Sequence, residues 1–142
     1  MLISTRGRYA LRVMVDLAEH RSEGYIPLKA IADRQEISEK YLESIVVLLV
    51  KAKMLDGVRG KGGGYRLSRA PEDYTLGEIL RAAEGTLAPV TCLDCSSGEL
   101  CPRAGECATL PVWRDLGAVT SQFLDSKRLS DILEDGEAGP CA

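Results

Sequence analysis

The chain has 142 residues, 45% hydrophobic, 27% charged and only 5% aromatic, enough for one domain or a small domain with an appendage. No window approaches the roughly 18 consecutive apolar residues of a membrane span. Arg6, Arg8 and Arg12 are followed by no uninterrupted apolar run, so no secretory signal is expected and the expected location is the cytoplasm. The net charge of −3 hides an asymmetry: residues 1–70 hold 13 Lys+Arg and 8 Asp+Glu, a net of +5, and residues 71–142 hold 5 and 13, a net of −8. The basic half suits a polyanionic partner.

In chain order, a first helix is expected to start after Ser4 or Thr5 and run to about Glu19, with Ala10, Val13, Met14, Leu17 and Ala18 at helical spacing facing a core. Arg21–Tyr25 reads as a polar turn, and Pro27 as an early residue of a second helix whose buried side is Leu28, Ile31 and Ala32. After a turn at Gln35–Ile37, Ser38 is a good N-cap for a third helix with Leu42, Ile45, Val46 and Leu49 inward. Glu39, Lys40, Glu43 and Ser44 are left on its outer face near the start. Two short helices joined by a tight turn, the second presenting polar side chains early, form the helix-turn-helix pattern.

Met54–Leu67 reads as two short strands around the glycine-rich tip Gly60-Lys61-Gly62-Gly63-Gly64, with Arg59, Lys61 and Arg66 on or beside it. Glycines there permit positive φ and close backbone approach. A basic hairpin directly after a helix-turn-helix is what a DNA-contacting wing requires. A nucleotide phosphate loop is excluded by context, since no parallel strand precedes the glycines and no Gly-Lys-Ser/Thr ending or helix follows them. After Pro71, Thr75 and Glu78 form a capping box for a helix with Leu76, Ile79, Leu80 and Ala83 inward. From about Thr109 a long helix is expected; Leu110, Trp113, Leu116, Thr120, Phe123 and Leu124 fall in a stripe suited to a partner helix, so Trp113, Leu116, Thr120, Phe123 and Leu124 are candidates for dimerisation. A short helix over 126–133 and a disordered tail over 134–142 complete the reading.

The expected fold is mainly α with a small β-hairpin: a winged helix-turn-helix domain at 1–85, a cysteine-rich loop at 86–108, a dimerisation helix and short C-terminal helix at 109–133, and the tail at 134–142. No hydrolytic or transferase constellation is present, and the single histidine, His20, reads as a cap of the first helix, so no enzyme is expected.

Four of the five cysteines lie between 92 and 107, spaced Cys92-x2-Cys95-x5-Cys101-x5-Cys107. With no secretion signal, such clustering points to metal or redox chemistry. Between Thr91 and Ala108 the apolar residues are only Leu93, Leu100, Ala104 and Ala108. A segment so poor in apolar surface cannot offset about 1–2 kcal/mol per residue of backbone ordering, whereas metal binding supplies local folding energy. Thiolates select zinc, copper(I) or iron–sulfur clusters, and the x5 spacings exceed the usual x2–x4 zinc knuckles. Ser96, Ser97, Gly98 and Gly105 can direct backbone N–H groups at cluster sulfurs. An iron–sulfur centre ranks first, structural zinc second, and a redox disulfide, with Cys92/Cys95 as the obvious pair, third. Cys141 reads as a free exposed thiol.

These pieces together resemble the IscR/NsrR/CymR family of winged helix-turn-helix transcription regulators, nearest its iron–sulfur cluster regulators. The resemblance spans about residues 1–125 and rests on Ser4-Thr5-Arg6-Gly7-Arg8-Tyr9-Ala10, Ile37-Ser38…Tyr41-Leu42-Glu43, Val58-Arg59-Gly60-Lys61-Gly62-Gly63-Gly64-Tyr65, the cysteine loop and Trp113-Arg114-Asp115-Leu116. It implies a homodimeric, mainly repressing regulator of iron–sulfur assembly genes that reads an inverted repeat in double-stranded DNA. The cofactor implied is an iron–sulfur cluster, [2Fe–2S] ahead of [4Fe–4S], delivered by iron–sulfur assembly proteins. Structural zinc or a thiol-redox or nitric-oxide switch is the alternative. The resemblance places Cys95, Cys101 and Cys107 at three ligand positions. Where the IscR branch has a fourth-ligand histidine this chain has Leu110, and where the NsrR branch has an aspartate from the partner it has Arg8. Cys92 is the natural replacement, and a triad of Cys92, Cys101 and Cys107 with another fourth ligand stays open. For DNA the resemblance implies Ser38, Lys40, Tyr41, Glu43 and Ser44 on the recognition helix, with Glu43 as a specificity element, and Arg59, Lys61, Gly62 and Gly63 on the wing.

Overall fold

The computed structural model describes residues 3–95, 98–99 and 101–136. Helix α1 (Thr5–Glu19) starts where Ser4, in extended conformation, accepts a hydrogen bond from Gly7 N through its side chain. Its apolar stripe Ala10, Val13, Met14, Leu17 and Ala18 is buried. Helix α2 (Leu28–Gln35) begins one residue later than expected: Pro27 is its cap, and its carbonyl accepts from Ala30 N at 3.0 Å. Glu36 ends α2 in the left-handed region, φ 54°, which turns the chain tightly into Ser38. Ser38 caps α3 (Glu39–Lys51) by accepting from Tyr41 N, and Leu42, Ile45, Val46 and Leu49 are fully covered. The helix-turn-helix is thus built from local capping chemistry plus a shared apolar seam.

Strands β1 (Leu55–Val58) and β2 (Gly64–Leu67) pair antiparallel, Leu55 opposite Leu67 and Val58 opposite Gly64. A third rung joins them from outside the hairpin: Ile26 and Tyr65 exchange both backbone hydrogen bonds at 2.8 Å. The turn ahead of α2 therefore pins the wing to the helical core.

The Thr75–Glu78 capping box opens α4 (Leu76–Glu84), which packs along α1. Among the described residues between 85 and 109 there is no α-helix or strand, and Thr91–Leu93 form a 3-10 turn. Helix α5 (Leu110–Ser126) follows with Pro111 in its first turn. Lys127 and Arg128 link it to α6 (Leu129–Glu134), whose Leu129 is buried in the same core as α1. Arg81 of α4 and Asp125 of α5 brace the outside of this junction at 2.6 and 3.1 Å. No helix among the described residues is long and apolar enough to cross a membrane.

Candidate nucleic-acid interface and cysteine segment

The first two turns of α3 display Lys40, Tyr41, Glu43 and Ser44 to solvent. Ser38 spends its side-chain oxygen on the helix cap, and the Ser44 hydroxyl donates to Tyr41 O at 2.6 Å. Lys40 and Glu43 thus carry the outward chemistry. Tyr41 meets Tyr9 of α1 edge-on, ring centroids 5.7 Å apart, and Arg12 lies 5.2 Å over the Tyr9 ring. Arg12 also donates to the Gln35 side chain at 3.0 Å and to its backbone carbonyl. The start of α3 is therefore steadied from α1 and α2. Arg6, Arg8 and Arg12 are exposed along α1, adding positive charge to this end of the molecule.

At the wing, Arg59 and Lys61 are exposed, and the tip turn is closed by Gly63 N donating to Gly60 O at 3.0 Å. Gly62 is exposed with open space around its α-carbon, but a side chain on Gly63 would meet Val58 O at 2.3 Å. A side chain on Gly64 would meet Ile26 O at 2.2 Å. At Gly63 and Gly64 the close approach is made by the protein's own backbone. Val47, Val50 and Lys51 of α3 face Gly57, Val58, Arg59 and Tyr65 across a groove of about 330 Å³.

The cysteine segment presents a different picture. Cys92, Cys101 and Cys107 are half-buried and Cys95 is exposed; all four thiols are free. Among the described residues no three or more His, Cys, Asp or Glu side chains converge as a metal site. The donor set fits an iron–sulfur centre in chemistry, four soft thiols within 16 residues and no disulfide among them. The conformation shown does not assemble them. Cys107 lies just ahead of α5, and its sulfur is 3.3 Å from the Thr109 hydroxyl. That hydrogen bond, with backbone N–H groups of Thr109 and Leu110 behind it, holds the thiol below its ordinary value. Leu110 is buried at the start of α5, so that position offers neither a donor atom nor an open approach. Ser96, Ser97 and Cys141 lie outside the described residues, as does the tail beyond 136.

On α5 the apolar residues divide into two sets. Leu110 turns inward, and Thr120 and Leu124 are half-covered by their own chain. Val112, Leu116, Val119 and Phe123 recur at four- and three-residue steps with Trp113 beside them, and all five are exposed. Sequence periodicity picked Trp113, Leu116 and Phe123 from this stripe but missed Val112 and Val119, which lie one residue from positions it chose.

Sequence reasoning also missed Asp16 and Tyr74. Asp16 is 1% exposed and accepts from Arg34 at 2.7 and 3.0 Å and from Gln35 at 3.0 Å. Burial pushes its carboxyl up, but the Arg34 and Gln35 hydrogen bonds and the Arg34 charge outweigh that and hold it below 3.8. A carboxylate inside the apolar stripe of α1 was the available signal.

Comparison with known proteins gives concordant matches. The model of a family described as Rrf2, iron-dependent transcriptional regulator, matches residues 3–135. The HTH-type transcriptional regulator IscR of Aliivibrio salmonicida is 39% identical over 137 residues, covering 96% of this chain and 80% of that protein. Protein rrf2 of Nitratidesulfovibrio vulgaris is 36% identical over 140 residues, covering 99% and 92%. Among solved structures, T. potens IscR superposes with a TM-score of 0.76 at 37% identity over 100% of this chain and 93% of that one. CymR, the global cysteine regulator of B. subtilis, gives 0.75 at 34% identity, covering 93% and 95%.

Proposed function

The chain belongs to the Rrf2 family of transcriptional regulators, and from that premise we propose a homodimeric repressor of iron–sulfur biogenesis genes whose operator binding responds to an iron–sulfur cluster. We divide it into a DNA-binding unit at 1–85, a cluster-binding segment at 86–108 and a dimerising segment at 109–133. The observation that carries this reading is the set of four free thiols at 92–107, placed directly ahead of α5 in a chain that also builds a basic wing beside a capped recognition helix.

Lys40, Tyr41 and Glu43 face base edges and phosphates of the major groove, while Arg59 and Lys61 bring cations to the adjacent backbone or minor groove. Ser38 holds the N-terminus of α3, whose positive end favours a phosphate. Glu43 accepts from a cytosine amino group and excludes bases that cannot donate there. Trp113, Leu116 and Phe123, joined by Val112 and Val119, pack against the same face of a second copy, with Thr120 and Leu124 at the margin. Two recognition helices then read an inverted repeat.

Cys95, Cys101 and Cys107, with Cys92 as fourth donor, would hold the cluster, [2Fe–2S] ahead of [4Fe–4S]. When bound, such a cluster supplies thiolate–iron bonds that order a segment unable to fold on its own apolar content. A cluster changes operator affinity only if it favours one conformation of the dimer over another.

Anaerobic purification with visible absorption, iron and sulfide analysis, and operator binding before and after cluster removal tests the reading. Iron and acid-labile sulfide in equal amounts, with a shift in operator affinity, is the expected result. A colourless protein with one zinc per chain and unchanged operator choice would overturn it in favour of structural zinc. Operator binding governed by thiol oxidation without iron would favour a thiol switch.

A further inference from the structure

Among the described residues Tyr74 is the largest side chain with no solvent exposure, and it lies inside the DNA-binding unit without being one of the groups assigned to DNA contact. Its hydroxyl donates to Met54 O at 2.7 Å and accepts from Arg69 N at 2.9 Å; Ser68 Oγ is 3.2 Å away. Met54 immediately precedes β1, and Ser68 and Arg69 immediately follow β2. One phenol therefore ties both feet of the wing. The Arg69 guanidinium covers its ring at 4.4 Å, and Ser68 N adds a bond to Met54 O at 3.2 Å.

The backbone of the same residue reaches the other way. Tyr74 O accepts from Leu129 N at 3.1 Å, and Leu76 N donates to Lys127 O at 2.9 Å, around the Thr75–Arg128 bridge. Lys127 and Arg128 are the whole link between α5 and α6. A single residue thus anchors the wing feet through its side chain and the start of α6 through its carbonyl.

We propose that Tyr74 is the positioning residue that sets the wing against DNA, by fixing both wing feet to the start of α6. The proposal rests on the reading that the wing contacts DNA. A hairpin of two four-residue strands is only marginally stable alone. Its outer rung at Ile26 fixes the middle of β2, and the Tyr74 hydroxyl fixes its base. Without the hydroxyl, Arg69 N loses its partner and the feet keep only the two Ser68 bonds, N to Met54 O and Oγ to Lys53 O, so the base of the hairpin loosens. Arg59 and Lys61 at the tip then sample many directions, and their phosphate contacts are lost on average.

The test uses Tyr74→Phe, which keeps the ring in the core. Operator affinity across a salt series is measured for wild type, Tyr74→Phe, Arg59→Ala and the double variant, with hydrogen exchange of backbone amides alongside. Tyr74→Phe is expected to lower affinity roughly three- to tenfold, to reduce the salt slope by about one to two, and to cost clearly less in the Arg59→Ala background, where only the Lys61 contact is left to lose. Wing amides at 55–67 should exchange faster while those of α1 keep their protection. A merely destabilised protein would lose active fraction at an unchanged salt slope. Losses that multiply in the double variant, or wing amides that exchange at the wild-type rate, would overturn the proposal. If Arg59→Ala itself leaves binding unchanged, the wing reading fails, and the hydrogen exchange alone then decides whether Tyr74 positions the hairpin.

Discussion

Arg34 grips Asp16 with two nitrogens, Nη2 to Oδ1 at 2.7 Å and Nε to Oδ2 at 3.0 Å, and so locks α2 onto α1 beneath the recognition helix. The carboxylate is buried while the guanidinium side chain remains 33% exposed. Gln35 donates to the same carboxylate and accepts from Arg12, which extends the lock toward Tyr9 and Tyr41.

Arg34→Met is expected to destabilise the protein by roughly 2–3 kcal/mol, less than the full loss for a deeply buried pair because water reaches one partner. Urea unfolding measures this, and a change under half a kcal/mol would mean the pair is ornamental. The pH dependence has a definite sign. The folded carboxyl titrates below its ordinary 3.8, so its contribution is complete above that value and is lost as pH falls through the lower folded value. Asp16→Asn should flatten the stability profile below about pH 4.

What could be read from sequence here follows from the range of the forces involved. Ser4, Ser38 and the Thr75–Glu78 pair announce helix starts because a cap is satisfied within three residues, and the structure uses all of them. The Ile26–Tyr65 rung, the Asp16–Arg34 pair and the Tyr74 anchor join residues 18 to 39 positions apart or bind three segments at once, and no local period encodes them. On α5 periodicity names the apolar positions but cannot apportion them between the chain's own core and an outside face. For the cysteines, spacing identifies four candidate donors, but their side chains do not converge in the structure.

The wing glycines separate by what surrounds them. Gly62→Ala meets open space and only a positive φ of 78°, so a loss of about 1 kcal/mol is expected. Gly64→Ala drives a methyl into the backbone of Ile26 and Pro27 and must push β2 off its outer rung, for roughly 2–4 kcal/mol. Thermal unfolding of the two variants ranks them. Equal losses would show that backbone conformation and not crowding sets the cost.

Within the proposed DNA interface, Arg59→Ala should weaken operator binding and lower the salt slope by about one if a phosphate contact is removed. Glu43→Ala should instead relax sequence preference, because its carboxylate costs affinity at most sites and is satisfied only by a donating base. Binding to the operator and to single-base variants distinguishes the two. An unchanged ranking of sites in Glu43→Ala removes that residue from specificity.

Val119 tests the proposed dimer face with the least disturbance to the fold. Its side chain is 65% exposed and sits in the middle of the stripe running from Val112 to Phe123. A glutamate there costs the isolated chain little, since surface substitutions usually fall within about 0.5 kcal/mol. Across a symmetric interface the same change acts twice and brings two like charges into it. Val119→Glu should therefore shift the protein from dimer to monomer in sedimentation experiments, with its helical circular dichroism preserved. Operator affinity should fall steeply, because one half-site then binds without the other. A dimer of unchanged strength would move the self-association surface off this face of α5.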